Sequence, residues 1–198
     1  MKVTVYGGTN NKQYTPEQMA ASDKLGSFLA SVGAEVLTGA CGGFPYFVGR
    51  AAAKSGGKVY GYTPARNLKE HIEKYQFPTD GVTDLVYNKA QAATLAENFM
   101  KRSIDMTPFS DVVIALGGSW GTYFELLLSF MFKRTIILVE EFEGAVKAFE
   151  NTHAYFGARD INPAVHLGAK IIRVKTVDEA IAAIKKLQTS MKKKPQNV

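Results

Sequence analysis

The feature that most constrains this chain is a rhythm. Short, apolar, β-branched runs end in glycine, and each is followed by a stretch with helical spacing. Residues 2–6 form the first run, closed by Gly7-Gly8. Thr15-Pro16-Glu17-Gln18 then opens a helix, with Thr15 as N-cap and Gln18 at the capping-box position, and Gly33 stops it. Residues 34–38 read as the second strand, 45–54 as a helix and 58–62 as the third strand. The polar, proline-bearing segment 63–82 supports no more than a short helix near 68–75. A short strand over 84–87 precedes a helix over 90–106, which Pro108 ends. The strand over 111–116 is apolar after Asp111, as in a strand buried on both faces. After the glycine-rich turn 117–121 comes a helix over 122–132 that is apolar nearly all round and therefore has to be buried. Strands over 135–139 and 169–174 and helices over 142–152 and 176–191 complete the series.

Repeated β-α-β units with apolar strands predict an α/β fold, a Rossmann-like, doubly wound parallel sheet with helices on both faces. The 198 residues fit one domain, 1–190, with a basic flexible tail over 191–198. A single cysteine, Cys41, excludes a disulfide scaffold and points to a reducing, cytoplasmic compartment. His71, His153, His166 and Cys41 are too scattered for a Cys-rich zinc site. The N-terminus lacks the apolar stretch of a signal peptide, and the longest greasy run, 124–132, is far short of a membrane span. The net charge of +6 suggests an anionic partner, but five of the 24 basic residues lie in the last 14 positions, which hold no acid. The remainder carries 19 basic against 18 acidic residues, with no basic stripe interleaved with aromatics, so a nucleic-acid partner is not expected.

In a doubly wound sheet, ligands bind beyond the carboxyl ends of the strands. Three of those ends carry eight of the 18 glycines: Gly7 and Gly8; Gly39, Gly42 and Gly43; Gly117, Gly118 and Gly121. Glycine lets backbone N–H groups approach an oxyanion, and the last cluster opens a helix whose N-terminus favours negative charge. Neither a Walker A lysine nor a G-x-G-x-x-G after the first strand is present. Glu125 lies one helical turn past Gly121-Thr122, near the mouth of the turn. There it can face a sugar hydroxyl or a water, or merely favour the helix dipole. Arg102 precedes the adjoining strand by about two turns; it can reach an anion, orient Glu125, or stay a solvated charge. Cys41 has no histidine adjacent in sequence and reads as a small residue in a tight turn.

Arg102-Ser103, the strand 111–116 and Gly117-Gly118-Ser119-Trp120-Gly121-Thr122-Tyr123-Phe124-Glu125 together resemble the LOG family, cytokinin-activating nucleoside 5′-monophosphate phosphoribohydrolases. Its signature is R-K, a strand, then P-G-G-x-G-T-x-x-E, and the segments align without gaps. The similarity extends over roughly residues 2–140, through Tyr6-Gly7-Gly8-Thr9 and residues 37–64. Three positions depart from the signature: Gly117 replaces its Pro, Ser119 its second Gly and Ser103 its Lys. The wider family includes molybdenum-cofactor carrier proteins.

The resemblance implies N-glycosidic hydrolysis of a nucleoside 5′-monophosphate to free base and ribose 5-phosphate, with Arg102 and Glu125 as the catalytic pair. Gly118, Ser119, Trp120, Gly121 and Thr122 would hold the phosphate, and residues 7–10 (Gly7, Gly8, Thr9 among them) with 39–43 (Gly39, Gly42, Gly43) would wall the pocket. No metal or cofactor is required. The alternative is a non-catalytic carrier of a nucleotide or of molybdenum cofactor. Family members bury the corresponding apolar helices in a homodimer, so a homodimer is expected.

Overall fold

The structure, a computed structural model, describes residues 1–9, 14–157 and 169–192. Seven strands form one sheet: β1 Lys2–Gly7, β2 Glu35–Thr38, β3 Val59–Thr63, β4 Asp84–Tyr87, β5 Val112–Leu116, β6 Thr135–Val139 and β7 Ile171–Val174. All neighbours are parallel, in the order β4-β3-β2-β1-β5-β6-β7. Among the described residues, five α-helices lie between strands, α1 Pro16–Ser31, α2 Phe44–Lys54, α3 Leu95–Met106, α4 Trp120–Met131 and α5 Ala145–Gly157, and α6 Val177–Lys192 follows β7.

Period-two alternation sends neighbouring strand residues to opposite faces. Val3, Val5, Val112, Ile114 and Leu116 join one core with Leu25 and Leu29 of α1, Val48 of α2 and Ile184 of α6. Tyr6, Val113 and Ala115 join the other with Met106 of α3, Leu126 of α4 and Phe149 of α5. The expected doubly wound sheet, covered by helices on both faces, is therefore present. Each fully buried Leu or Ile contributes about 1.5–3 kcal/mol of transfer free energy to it.

Several boundaries differ from the sequence reading. Thr15 and Gln18 form the expected reciprocal capping box at α1. A second box, Thr94 with Glu97, starts α3 at Leu95 rather than at residue 90. The alanines at 90–93 lie in a loop tied by Asn98, whose amide oxygen accepts from Asn88 Nδ2 and the Ala92 N–H, both at 3.0 Å. The helix expected from residue 142 starts at Ala145, because Glu143 and Gly144 both have positive φ. The strand expected from residue 169 starts at Ile171. Segment 64–82 forms a strap across the carboxyl edge, with a single π-helical turn over Glu70–Lys74. On the single chain, α4 exposes Leu127 and Met131, the helix that the sequence reading buries in a homodimer. The expected tail begins inside α6; residues 193–198 lie outside the described residues, as do Asn10 and His166. Among the described residues no helix is long and apolar enough to cross a membrane.

Candidate functional site

Strand order reverses at β1, whose two edges carry β2 and β5. Adjacent loops diverge there and leave a crevice at the carboxyl edge. A cavity of about 590 Å³ occupies it. Its wall includes Gly7, Gly8 and Thr9 after β1, Gly39, Cys41 and Gly42 after β2, Arg102 and Ser103 of α3, and Ser119, Trp120, Gly121, Thr122 and Glu125 at the start of α4. Eleven of the thirteen residues singled out in the sequence thus meet at one cavity.

The other two are turned away. Gly43 is the N-cap of α2 with φ +89°, and a side chain on it would run into the Gly8 carbonyl. Gly118, at φ +93°, packs against the Thr122 side chain and lines a neighbouring cavity of about 420 Å³ with Tyr14 and Phe142. Both serve the turns rather than the main cavity wall.

Arg102 and Glu125 form an ion pair at 3.0 Å, and each is more than nine-tenths buried. The guanidinium donates through Nη2 to Glu125 Oε1 and through Nη1 to the Gly39 carbonyl, both at 3.0 Å. Its carbon lies 5.3 Å from the centre of the Phe99 ring. Gly39 permits this, since a Cβ there would sit 2.8 Å from the guanidinium carbon. Nε of Arg102 is buried without a protein partner. Arg102 is therefore not a solvated charge: its two terminal nitrogens hold Glu125 and the Gly39 carbonyl just past β2.

Ser103 completes the group, donating its hydroxyl to Glu125 Oε1 at 2.9 Å. The sequence marked it only as a departure from the signature lysine; its place directly after Arg102 was the available signal. Both hydrogen bonds to Glu125 land on Oε1. Burial pushes the Glu125 carboxyl above its ordinary range, while Arg102 and the Ser103 hydroxyl pull it back. Beneath it, Tyr6 shares a 2.7 Å hydrogen bond with Thr107 Oγ1, and Thr107 donates to the Ser103 carbonyl. Thr107 has one proton and gives it to that carbonyl, so Tyr6 is the donor. Burial, and then the charge of Glu125, push the Tyr6 phenol up, so it stays protonated. Burial likewise raises the Cys41 thiol, against the opposing effect of Arg102, which argues against an activated nucleophile.

The start of α4 is built differently from α1 and α3. Its N-cap, Ser119, makes no side-chain capping bond, whereas Thr15 and Thr94 do. The first N–H groups of a helix have no acceptor within it. Thr122 anchors this end by donating to the Gly7 carbonyl at 3.1 Å. A Cβ on Gly121 would meet nothing within 4 Å, so packing inside the protein does not explain the glycine there. Gly117 has φ +65°, which proline cannot adopt, so this turn follows a path that the signature's proline would forbid. Among the described residues no three His, Cys, Asp or Glu side chains gather in a group that could hold a metal ion.

The fold and the crevice define a Rossmann-like protein with a ligand-sized cavity at its topological switch point. The chain belongs to the SLOG cluster4 family, whose model matches residues 1–180. Its fold is shared by TM1055, a structural-genomics target: 22% identity, TM-score 0.70, covering 93% of this chain and 98% of that one. The molybdenum cofactor binding protein of Rippkaea orientalis is 21% identical with TM-score 0.70, over 94% and 96% of the two chains. The molybdenum cofactor carrier protein of Chlamydomonas reinhardtii is 21% identical with TM-score 0.64, over 95% and 98%. A comparison with curated proteins gives no match.

Proposed function

We propose that the cavity binds a nucleoside 5′-monophosphate and that the protein hydrolyses its N-glycosidic bond. The observation that carries this is the buried Arg102–Glu125–Ser103 group on the wall of a cavity that also holds the uncapped start of α4. The free N–H groups and the helix dipole suit a phosphate. Glu125, held through Oε1, would orient a water and take its proton as the water oxygen bonds to the anomeric carbon. The same carboxylate favours the positive charge that develops on the ribose. The bond from the anomeric carbon to the base nitrogen breaks, the base takes up a proton from solvent as Glu125 returns to solvent the one it gained, and the products are free base and ribose 5-phosphate. Arg102 acts through Glu125 as a positioning residue. The chemistry asked of these side chains needs no metal.

The test is chromatographic release of free base from AMP and the other common monophosphates. Glu125→Gln keeps an oxygen that can accept from Arg102 and Ser103 but cannot act as base. It should lower release about 100-fold or more while nucleotide binding persists. If the unsubstituted protein frees no base from any of these nucleotides, hydrolysis is excluded.

A second reading, a carrier that binds without turnover, is favoured by Gly117: its positive φ gives the phosphate turn a path different from that of the hydrolase signature. Two of the proteins sharing the fold over nearly their whole length are molybdenum cofactor binding or carrier proteins. A nucleotide or pterin co-purifying with the protein, identified by mass spectrometry, together with no base release, would support it. In either case we propose a homodimer formed through the exposed apolar residues of α3 and α4, in the reducing cytoplasm.

A further inference from the structure

The cavity lining is of two chemical kinds. Besides the polar groups just described, it includes an apolar end built around Phe77 of the strap and Phe99 of α3, and the side chains of Ala96, Met100, Phe124 and Trp120 also line it. Of these side chains only the indole of Trp120 can donate a hydrogen bond, and the Met100 thioether is at most a weak acceptor. Phe77 comes from the strap and Phe99 from α3, and their ring centres lie 6.3 Å apart at 66°. Tyr75 stacks on Phe77 at 5.6 Å and meets Phe99 edge-on at 6.0 Å, backing the pair. Phe99 also bears the Arg102 guanidinium, so the aromatic wall and the ion pair share one side chain. Trp120 stands at the mouth, 86% exposed.

We infer that this end selects the base by stacking and ring area, without reading its hydrogen-bonding edge, and that Phe77 is the specificity-determining residue. This rests on reading the cavity as a nucleoside-monophosphate site. Telling an amino from an oxo edge requires donors and acceptors fixed against it. A wall of phenyl rings and methylenes offers none, but it gains with every square ångström of flat ring that it covers. Purine monophosphates are therefore equivalent ligands, whatever their exocyclic groups, and pyrimidines, with one ring, are weaker. The strap that brings Phe77 sets this preference, while the polar end is indifferent to the base.

Calorimetric titration of the Glu125→Gln protein, which leaves ligands intact, tests this with AMP, GMP, IMP, CMP, UMP and ribose 5-phosphate. The three purine nucleotides should bind within about threefold of one another and about tenfold or more tighter than ribose 5-phosphate, with pyrimidines between. Trp120 is the single tryptophan, so its emission should be quenched by purine nucleotides and little changed by ribose 5-phosphate. Adding Phe77→Leu, which keeps an apolar side chain, or Phe77→Ala should remove most of the purine advantage and leave ribose 5-phosphate affinity unchanged. Thermal melts identify whichever variant stays folded. A difference above tenfold between AMP and GMP overturns the inference, as does an equal loss for ribose 5-phosphate in the Phe77 variants. Ribose 5-phosphate binding with no gain from any base overturns the inference alone; no binding of any of the six overturns the reading of the cavity with it.

Discussion

At the scale of single residues, Glu125 shows how a buried carboxylate is tuned by its neighbours. Burial raises its proton affinity, and Arg102 and Ser103 lower it again. Removing Arg102 would leave a buried charge without its counter-ion, which costs about 3–5 kcal/mol. Ser103 is the gentler probe. Ser103→Ala deletes one donor to Oε1 and costs about 1 kcal/mol of stability. It also removes one of the influences that hold the carboxylate ionised. The acid limb of the pH profile of kcat/KM should therefore move to higher pH, and the carboxylate should become protonated where it was previously the active base. A limb that stays in place would show that Ser103 does not act on Glu125. Gly39 makes the complementary point: its lack of a side chain lets the Arg102 guanidinium rest on the turn that follows β2.

At the scale of elements, the strap depends on His71, which is fully buried. Its Nε2 faces the Pro78 carbonyl at 3.3 Å and so carries the proton; Nδ1 then accepts from Thr63 Oγ1 at 2.9 Å. Glu70 adds a second fastening: it accepts from the Arg66 N–H and from Lys74 Nζ, and these contacts lower its carboxyl to about 2. Burial lowers the His71 imidazole below its ordinary 6.5. The unfolded chain therefore takes up the proton first as pH falls. The stability held by His71 is complete above pH 6.5 and declines below it until the folded imidazole also titrates. Melting temperatures between pH 7.5 and 5 should fall more steeply for the unsubstituted protein than for His71→Gln. Parallel curves would mean that His71 does not clasp the strap. The parallel strands were legible in the sequence because burial on both faces makes them continuous apolar runs, as in β5. Arg102 and Glu125 were legible because their spacing follows a signature. The strap was not: without a helical or strand period, nothing in residues 63–82 marks Phe77 as a wall of the cavity. The start of α3 was misplaced because alanines at 90, 92 and 93 favour helix, whereas the Asn88–Asn98 amide pair holds the loop open.

At the scale of the whole molecule, the apolar surface is unevenly spread. Met100 and Ile104 on α3 and Leu127 and Met131 on α4 are all exposed, on the helices that also carry the ion pair. Apolar patches of this kind mark association surfaces. Sedimentation at micromolar concentration should give twice the 21.6 kDa chain mass, and Leu127→Lys with Met131→Glu should give the monomer. A monomer for the unsubstituted protein removes the dimer. The strand order has a consequence for how the chain is made. β1 is the middle strand of seven, and its partner along one edge is β5, with Val3 opposite Val112. At ribosomal rates of about 5–20 residues per second, roughly 5–20 s separate the synthesis of these two strands. Through that interval the nascent chain can zip β1 to β2 yet must leave its other edge bare, open to a chaperone or to a neighbouring polypeptide. The cavity is later still, because it is not complete until Glu125 has emerged; a ligand can therefore aid only the last stage of folding on the ribosome.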